Sequence, residues 1–243
     1  MSVTLNCIAL RTVRLNESKN LLTVWCRQYG RLTLAMPAGA SREARRRRAL
    51  TGPLSTFDCV VDFKPGREIH SVRDISAGHY SLAVESSAPK QLVAMFLAEV
   101  LDILLRRTEA DGPLSDFLFY SLEVLSALSD PAAVANFHIV FLYGLSHFAG
   151  IAPDLSGWRN GAVFDLREGV FRTTLPLHRD FLSPRESLAL IYVSRVSYRT
   201  AGRLPFVREE RNRALDVILQ YYSLHLASMS SLKSLDILRS MLD

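Results

Sequence analysis

Cysteine is scarce in this 243-residue chain, and its placement excludes two kinds of cross-linked scaffold. The three cysteines are Cys7, Cys26 and Cys59, an odd number that falls entirely in the first third of the sequence. None belongs to a C-x-x-C pair, so we expect neither a disulfide framework nor a zinc site built from them. Sparse, unpaired cysteine is typical of a reducing cytoplasm. In the opening MSVTLNCIAL no basic region precedes an apolar stretch, so we expect no signal peptide.

The chain also lacks the short motifs of the common catalytic sites. It has no glycine-rich phosphate loop, no H-E-x-x-H, no G-x-S-x-G and no cysteine with an evident histidine partner. Asp154 and, eleven residues later, Asp165 loosely resemble the metal-binding acids of some nucleases. The lysine of that pattern is replaced by Arg167, which cannot give up a proton to act as a base. A metal-dependent nuclease is therefore a minor alternative, and we expect no enzyme activity, no cofactor and no bound metal.

Charge is absent from one long stretch, residues 131–153, which contains no Asp, Glu, Lys or Arg. It does contain Asn136, His138 and His147, and acidic residues flank it at both ends. A helix that spans a membrane normally carries basic anchors on one side. We therefore expect a buried core helix and no membrane partner.

Positive charge is abundant, and it is concentrated in one part of the chain. Residues 1–80 hold thirteen Lys/Arg and six Asp/Glu, a net of +7, whereas residues 81–243 hold sixteen and eighteen, a net of −2. Within residues 38–50, AGASREARRRRAL, five of the seven positions from 42 to 48 are arginine. The guanidinium group matches phosphate oxygens and stays charged. The stretch predicts a polyanion site, most simply for nucleic acid. One alternative is that it is only a solvated surface run of charge. The other is that the protein is an adaptor whose basic barrel docks an acidic protein.

The first third alternates in hydrophobicity in the manner of short strands. Five strands are predicted, at residues 3–13, 21–29, 31–36, 54–63 and 69–75, with the arginine stretch after the third. Leu22, Val24 and Cys26 share one face with a period of two, and Leu32, Leu34 and Met36 do the same on the next strand. These residues should line the interior of a small closed barrel of the OB type.

The opposite face of the second and third predicted strands combines aromatic rings with cations. Trp25, Arg27 and Tyr29 lie on one strand, and Arg31 lies on its neighbour. Rings that stack on bases, beside guanidinium groups that follow phosphates, suit single-stranded nucleic acid. The alternative is that this face packs against the following domain. The complete predicted DNA-binding set comprises Trp25, Arg27, Tyr29, Arg31, Arg42, Arg45, Arg46, Arg47, Arg48, Lys64 and Arg67.

After residue 78 the period changes to that of helices. Helices are predicted at residues 90–107, 114–128, 132–148, 184–200, 206–226 and 232–242, with a β-hairpin at 157–177 that turns at residues 167–169. The expected architecture is an α+β, multi-domain protein. An OB-fold domain would cover residues 1–80, and an all-helical domain with the hairpin insert would cover residues 81–243.

Five segments together resemble one family of bacterial proteins. They are IALRTVRLNESKNLLTVWCRQYGRLTLAMP, ANFHIVFLYGLSHFAGIAPD, the hairpin FDLREGVF, RNRALDVILQYYSLHL and the closing LKSLDILRSML. None is a catalytic motif; their order and spacing along essentially the whole chain carry the resemblance. The chain is similar to the recombination mediator family RecO, in its Bacteroidetes-like branch.

The resemblance implies a DNA-repair and recombination protein without enzymatic activity in the bacterial cytoplasm, at the nucleoid. Members of that family bind single- and double-stranded DNA, anneal complementary strands and, with RecR, help to load RecA onto DNA coated by single-strand-binding protein. They also recognise the acidic, apolar C-terminal tail of that binding protein. Some members carry a four-cysteine zinc module in the C-terminal domain. Because no cysteine follows Cys59, we expect no zinc in this chain.

Overall fold

A computed structural model describes residues 2–78 and 87–241 of the chain. The backbone forms two compact units, the first of Met1–Ala127 with Leu232–Met241 and the second containing Leu128–Ser231. The domain boundary predicted at residues 80 and 81 lies outside the described residues.

The first unit begins with five strands that close into a barrel in the order β1-β2-β3-β5-β4. This confirms the predicted OB-type architecture, with each strand within a few residues of its predicted bounds. The strands are β1 Ser2–Arg14, β2 Lys19–Cys26, β3 Gly30–Pro37, β4 Thr56–Asp62 and β5 Ile69–Ala77. All neighbouring pairs are antiparallel except β3 and β5, which close the barrel in parallel at Thr33 and Ile69.

The barrel interior is filled by the residues that alternation assigned to it. Leu22, Val24, Cys26, Leu34 and Met36 all belong to one buried cluster, and Leu32 is partly buried against it. That cluster also contains Leu5, Cys7, Ala9, Phe57, Cys59, Val61, Val72 and Ile75. Since successive residues of a strand face opposite sides, a one-residue slip would have turned every one of these side chains away from the barrel interior. The core of this small domain is therefore set by the period-two pattern.

Between β3 and β4 the chain forms a helix, α1, over Arg42–Leu50. The hydroxyl of Ser41 accepts a hydrogen bond from Ala44 N at 3.1 Å and so caps the first turn. Ala44 is buried, and Leu50 packs against the barrel core. The arginine stretch, predicted only as an insertion held out in solvent, is thus a helix anchored by its few apolar residues.

Three helices complete the first unit: α2 Ala88–Leu104, α3 Gly112–Ala127 and α7 Leu235–Met241. A short 3-10 helix, Leu105–Arg107, continues directly from α2. The end of the described chain is joined to α2 by Glu99, whose carboxylate accepts from Ser234 N at 3.0 Å and from Ser234 Oγ at 2.8 Å. Residues far apart in sequence therefore share one unit.

The second unit contains α4 Pro131–Phe148, α5 Pro184–Ser194 and α6 Arg208–His225. The predicted hairpin is confirmed as β6 Val163–Asp165 and β7 Val170–Arg172, and a third strand, β8 Phe181–Leu182, was not predicted. The order is β7-β6-β8. The charge-free α4 is largely buried, as expected. Across residues 2–78 and 87–241, no helix is long and apolar enough to cross a membrane.

One predicted helix of the second unit is too long. The pattern predicted a helix over residues 184–200, but α5 ends at Ser194 and a separate 3-10 helix covers Tyr198–Arg203. Ser197 N donates to Thr200 Oγ1 at 3.1 Å, which offers the backbone a local side-chain partner. Such bonds compete with the α-helical ladder and favour a break.

Candidate nucleic-acid interface

The arginines of α1 differ in how freely they can meet a ligand. Arg42, Arg45, Arg46 and Arg48 are exposed, whereas Arg47 is partly buried. Residues three and four apart lie on one helix face, so Arg42 is adjacent to both Arg45 and Arg46. Helix formation therefore turns a run of basic residues into a two-dimensional cationic surface, which we call the α1 arginine face and define as Arg42, Arg45, Arg46 and Arg48.

Only one acidic residue lies within α1, and it pairs with two of the arginines. Glu43 accepts from Arg47 Nε at 3.0 Å and lies 3.5 Å from Arg46 Nη1. The hydrogen bond from Arg47 is the main reason why the pKa of Glu43 lies below its ordinary value. Arg48 donates to Gly39 O at 2.5 Å. Most of the positive charge of α1 is thus not neutralised by its own helix.

Two of the predicted DNA-binding arginines are instead bound to helices of their own unit. Arg31 Nη2 lies 2.5 Å from Asp102 of α2, a carboxylate that is 6% exposed. Arg27 pairs with Asp116 of α3 and lies over the ring of Phe119, with Cζ 4.7 Å from the ring centroid. Both side chains hold the barrel against α2 and α3.

The prediction that Trp25 stacks on a nucleobase is wrong. Its side chain is 0% exposed, and its Nε1 donates to Ser115 Oγ of α3 at 3.0 Å. An indole enclosed in this way cannot stack on a base. Of the two alternatives for this face, packing against helices is therefore the correct one at Trp25. Alternation identified the face on which Trp25 lies but not what covers it.

Tyr29, Lys64 and Arg67 remain accessible. Tyr29 lies in the turn between β2 and β3, and its ring stacks on that of Phe63 with 4.3 Å between centroids. Lys64 and Arg67 lie in the turn that joins β4 to β5, and both are exposed. The ring contact brings these two turns together at one end of the barrel.

The predicted DNA-binding set is divided between the two ends of the barrel. At the start of β2, Lys19 pairs with Pro37, and α1 follows β3 from this end. At the other end of β2, Cys26 pairs with Gly30, beside Tyr29. An eight-residue strand spans about 25 Å. The α1 arginine face and the group Tyr29, Lys64 and Arg67 are therefore two clusters rather than one groove.

The acids of the alternative nuclease hypothesis have structural partners. Asp165 is 3% exposed and accepts from Arg167 N at 2.9 Å and from Arg172 Nε at 3.1 Å. Asp154 accepts from Ser156 N at 2.9 Å, as in a turn. Within the described part of the chain, no group of three or more His, Cys, Asp or Glu residues is placed to hold a metal ion. These contacts give the two aspartates roles in folding.

The second unit contains a large apolar cavity of about 730 Å³. Its lining comes from α4, α5, α6 and the three-stranded sheet and includes Leu188, Tyr192 and Ile218. Two cations at its rim are paired with acids: Arg185 Nη2 lies 3.3 Å from Glu210, and Arg213 Nη2 lies 2.6 Å from Glu186. The sequence patterns did not predict this cavity, because its walls come from segments distant along the chain.

Comparisons with known proteins decide the family. The family model described as "Recombination protein O N terminal" matches residues 1–79, and "Recombination protein O C terminal" matches residues 86–236. The chain belongs to the RecO family. The predicted resemblance is confirmed, and with it a role in DNA repair and recombination.

Relatives named "DNA repair protein RecO" match this RecO-family chain over nearly its full length. The protein of Phocaeicola vulgatus is 32% identical over 234 residues, covering 96% of each chain. That of Bacteroides fragilis is 30% identical, covering 97% of each, and that of Porphyromonas gingivalis is 30% identical, covering 100% of each. These organisms agree with the predicted Bacteroidetes-like branch.

Sequence reasoning missed several residues that organise the candidate interface. Ser41 ahead of an acidic residue and a basic C-terminal turn is a helix-start signal that was available in the sequence. Asp102 and Asp116, which bind Arg31 and Arg27, gave no such signal, since they lie more than seventy residues away. Phe63 likewise became a partner of Tyr29 only through closure of the barrel.

Proposed function

We propose that this RecO-family chain is a DNA-binding mediator of repair and recombination that holds single- and double-stranded DNA without reading their sequence. The observation that carries the proposal is the α1 arginine face. Four exposed guanidinium groups lie on one nine-residue helix whose single acid is Glu43. A cationic surface of this kind meets the phosphates of any nucleic acid alike.

The physical chemistry of phosphate contacts sets the properties of such binding. Each phosphate neutralised by an arginine releases condensed counterions, so affinity falls steeply with salt. The same neutralisation lowers the repulsion between two complementary strands held at one surface. Annealing then needs no covalent step, in keeping with the candidate interface being made of arginines.

We extend the proposal to the partners that the family resemblance implies. With RecR, the protein would help RecA to load onto DNA coated by single-strand-binding protein, whose acidic, apolar C-terminal tail it would bind. The cavity of the second unit supports a tail site, since it offers a large apolar lining with Arg185 and Arg213 at the rim. The carboxylates of an acidic tail would replace Glu210 and Glu186 as the ion-pair partners of these arginines.

The first prediction concerns the α1 arginine face. Changing Arg42, Arg45, Arg46 and Arg48 together to alanine should weaken binding of a single-stranded 30-mer at least about a hundredfold at low salt. The plot of log affinity against log salt should also become shallower. Its negative slope should decrease in magnitude by about 3, at about 0.7 for each phosphate that is no longer neutralised. Arg47 is left in place because it pairs with Glu43 inside the helix. Fluorescence anisotropy across a salt series measures both quantities.

A matched control removes the same charge from the second unit. Arg159, Arg179, Arg195 and Arg199 are exposed, and no ion pair joins them to other described residues. Their replacement by alanine should leave the salt slope nearly unchanged. Equal losses in the two variants would mean that net charge alone governs binding. Unchanged affinity in the α1 variant, with an acidic protein bound at physiological salt, would favour the adaptor alternative.

A further inference from the structure

Three aromatic rings form a column at the end of the barrel opposite α1. The rings of Tyr29 and Phe63 are 4.3 Å apart and 23° from parallel. The rings of Phe63 and His70 are 4.6 Å apart and 13° from parallel. The column starts inside the protein, where His70 is 2% exposed, and ends at Tyr29, which is 38% exposed. Its last ring is thus the one that meets solvent.

The inner part of the column is fixed by the barrel. His70 lies on β5, in parallel register with Leu34 of β3, so its position follows from barrel closure. Its buried Nδ1 has no hydrogen-bond partner in the described part of the chain, and one face of the ring is covered by Phe63. The partly buried ring of Phe63 and the buried ring of His70 are nearly parallel beneath Tyr29, and they limit the directions in which the outer ring can point.

The turn that carries Tyr29 is also fixed. Gly30 has φ +70°, a left-handed conformation that suits glycine. A Cβ at this position would lie 2.8 Å from Ala110 N, so the backbone of the turn closely approaches the segment before α3. The tyrosine is therefore held by a turn that has little freedom to move away.

Two unpaired cations accompany the column. Lys64 and Arg67 are exposed in the turn that directly follows Phe63, which Gly66 closes with φ +79°. No ion pair joins either side chain to another described residue. Single-stranded nucleic acid is bound by aromatic rings on which bases stack, next to cations that contact the phosphates. This end of the barrel offers both.

We propose that the exposed face of Tyr29 is a stacking site for an unpaired nucleobase, with Lys64 and Arg67 on the flanking phosphates and with Phe63 and His70 as positioning residues. The inference rests on the proposed DNA-binding function and names its ligand class at this second cluster. Bases within a duplex already stack on their neighbours, so this end selects single strands. Every base has a π-face, so the site has no strong sequence preference.

The experiment compares two 30-mers with the same phosphate charge, oligo(dT) and a fully abasic tetrahydrofuran oligomer, by anisotropy at low salt. The wild-type protein should bind oligo(dT) about fivefold or more tightly than the abasic oligomer. Tyr29→Ala should lose most of this preference while its affinity for the abasic oligomer is unchanged. Tyr29→Phe, which retains the ring, should keep the preference. Phe63→Leu should reduce it without altering the salt slope.

The α1 arginine variant separates this inference from the proposed function. It should weaken binding to both oligomers alike and leave their ratio unchanged. Equal binding of the two oligomers by the wild-type protein, or an unchanged ratio in a folded Tyr29→Ala variant, overturns the stacking site while DNA binding stands. Failure of the wild-type protein to bind either oligomer contradicts the proposed function and the stacking site together.

Discussion

Arginine side chains of the first unit fall into two groups with different energetics. Arg31 lies against the buried carboxylate of Asp102, with Arg11 Nη1 3.5 Å from its other oxygen. The arginines of the α1 face have no buried partner. Removing one member of a buried pair leaves an uncompensated charge, whereas an exposed arginine is hydrated with or without its neighbour. Identical residue types in one small barrel therefore serve folding at one position and, we infer, binding at another.

Asp102 and Asp116 both bind arginines of the barrel, but their removal should affect stability differently. Asp102→Ala should lower the free energy of unfolding by about 3 kcal/mol, because Arg31 stays largely buried without its partner. Asp116→Ala is the matched control, since the Arg27–Asp116 pair is exposed and should contribute less than about 1 kcal/mol. Urea unfolding followed by circular dichroism measures both. Similar losses in the two variants would contradict the assignment of Asp102 as a buried anchor.

At the scale of single elements, the hairpin of the second unit shows how one carboxylate can organise a turn. Burial alone would raise the pKa of Asp165, but the backbone N–H groups of Glu168 and Arg167 and the Arg172 guanidinium outweigh it. The pKa of Asp165 is therefore lower in the folded protein than in the unfolded chain. His178 Nε2 lies 3.4 Å from the same carboxylate.

A lowered folded pKa has a definite consequence for stability against pH. The contribution of Asp165 is fully present above its unfolded pKa of about 4 and is lost as the pH falls through its folded value. Asp165→Asn should therefore cost about 2 kcal/mol at pH 7, since a charged hydrogen-bond acceptor is replaced by a neutral one. The difference between variant and wild type should shrink as the pH falls below about 4. Urea titrations between pH 7 and pH 3 measure it; a constant difference would refute this role.

At the scale of the whole molecule, the chain returns to its first unit after completing the second. Ser234, which precedes α7, is 2% exposed. Glu99 of α2 accepts from Lys233 N at 2.8 Å and from the backbone and hydroxyl of Ser234. One carboxylate thus satisfies three donors from a segment more than 130 residues away. The contact ties α7 to a helix of the first unit.

A prediction follows for this long-range contact. Glu99→Ala should lower the free energy of unfolding by about 2 kcal/mol, because buried donors at Ser234 lose a charged acceptor. Amide hydrogen exchange over Leu235–Met241 should become faster, since the segment directly before α7 loses the carboxylate that holds it. Glu123→Ala is the control: Glu123 is an exposed residue of α3, and its loss should change stability by less than about 0.5 kcal/mol. Unchanged exchange in Glu99→Ala would show that packing alone holds α7.

The sequence by itself determined most of the barrel and the helices. Period-two alternation identified all five strands and the interior side of Leu22, Val24 and Leu34, because a strand must turn every second residue toward the core. The charge-free stretch identified α4 as a core helix for a comparable reason, since apolar residues on all faces are stable only when buried. The resemblance carried by five segments identified the family.

Only the tertiary structure decided how the outward-facing residues are used. Alternation placed Trp25, Arg27 and Arg31 on one outer face but could not show that α2 and α3 cover it. Nor could it bring Phe63 and His70 to Tyr29, or place the α1 arginine face at the other end of the barrel. Periodicity reports the side of an element on which a residue lies. The residues that contact it on that side come from segments distant along the chain, and only barrel closure and helix packing bring those segments together.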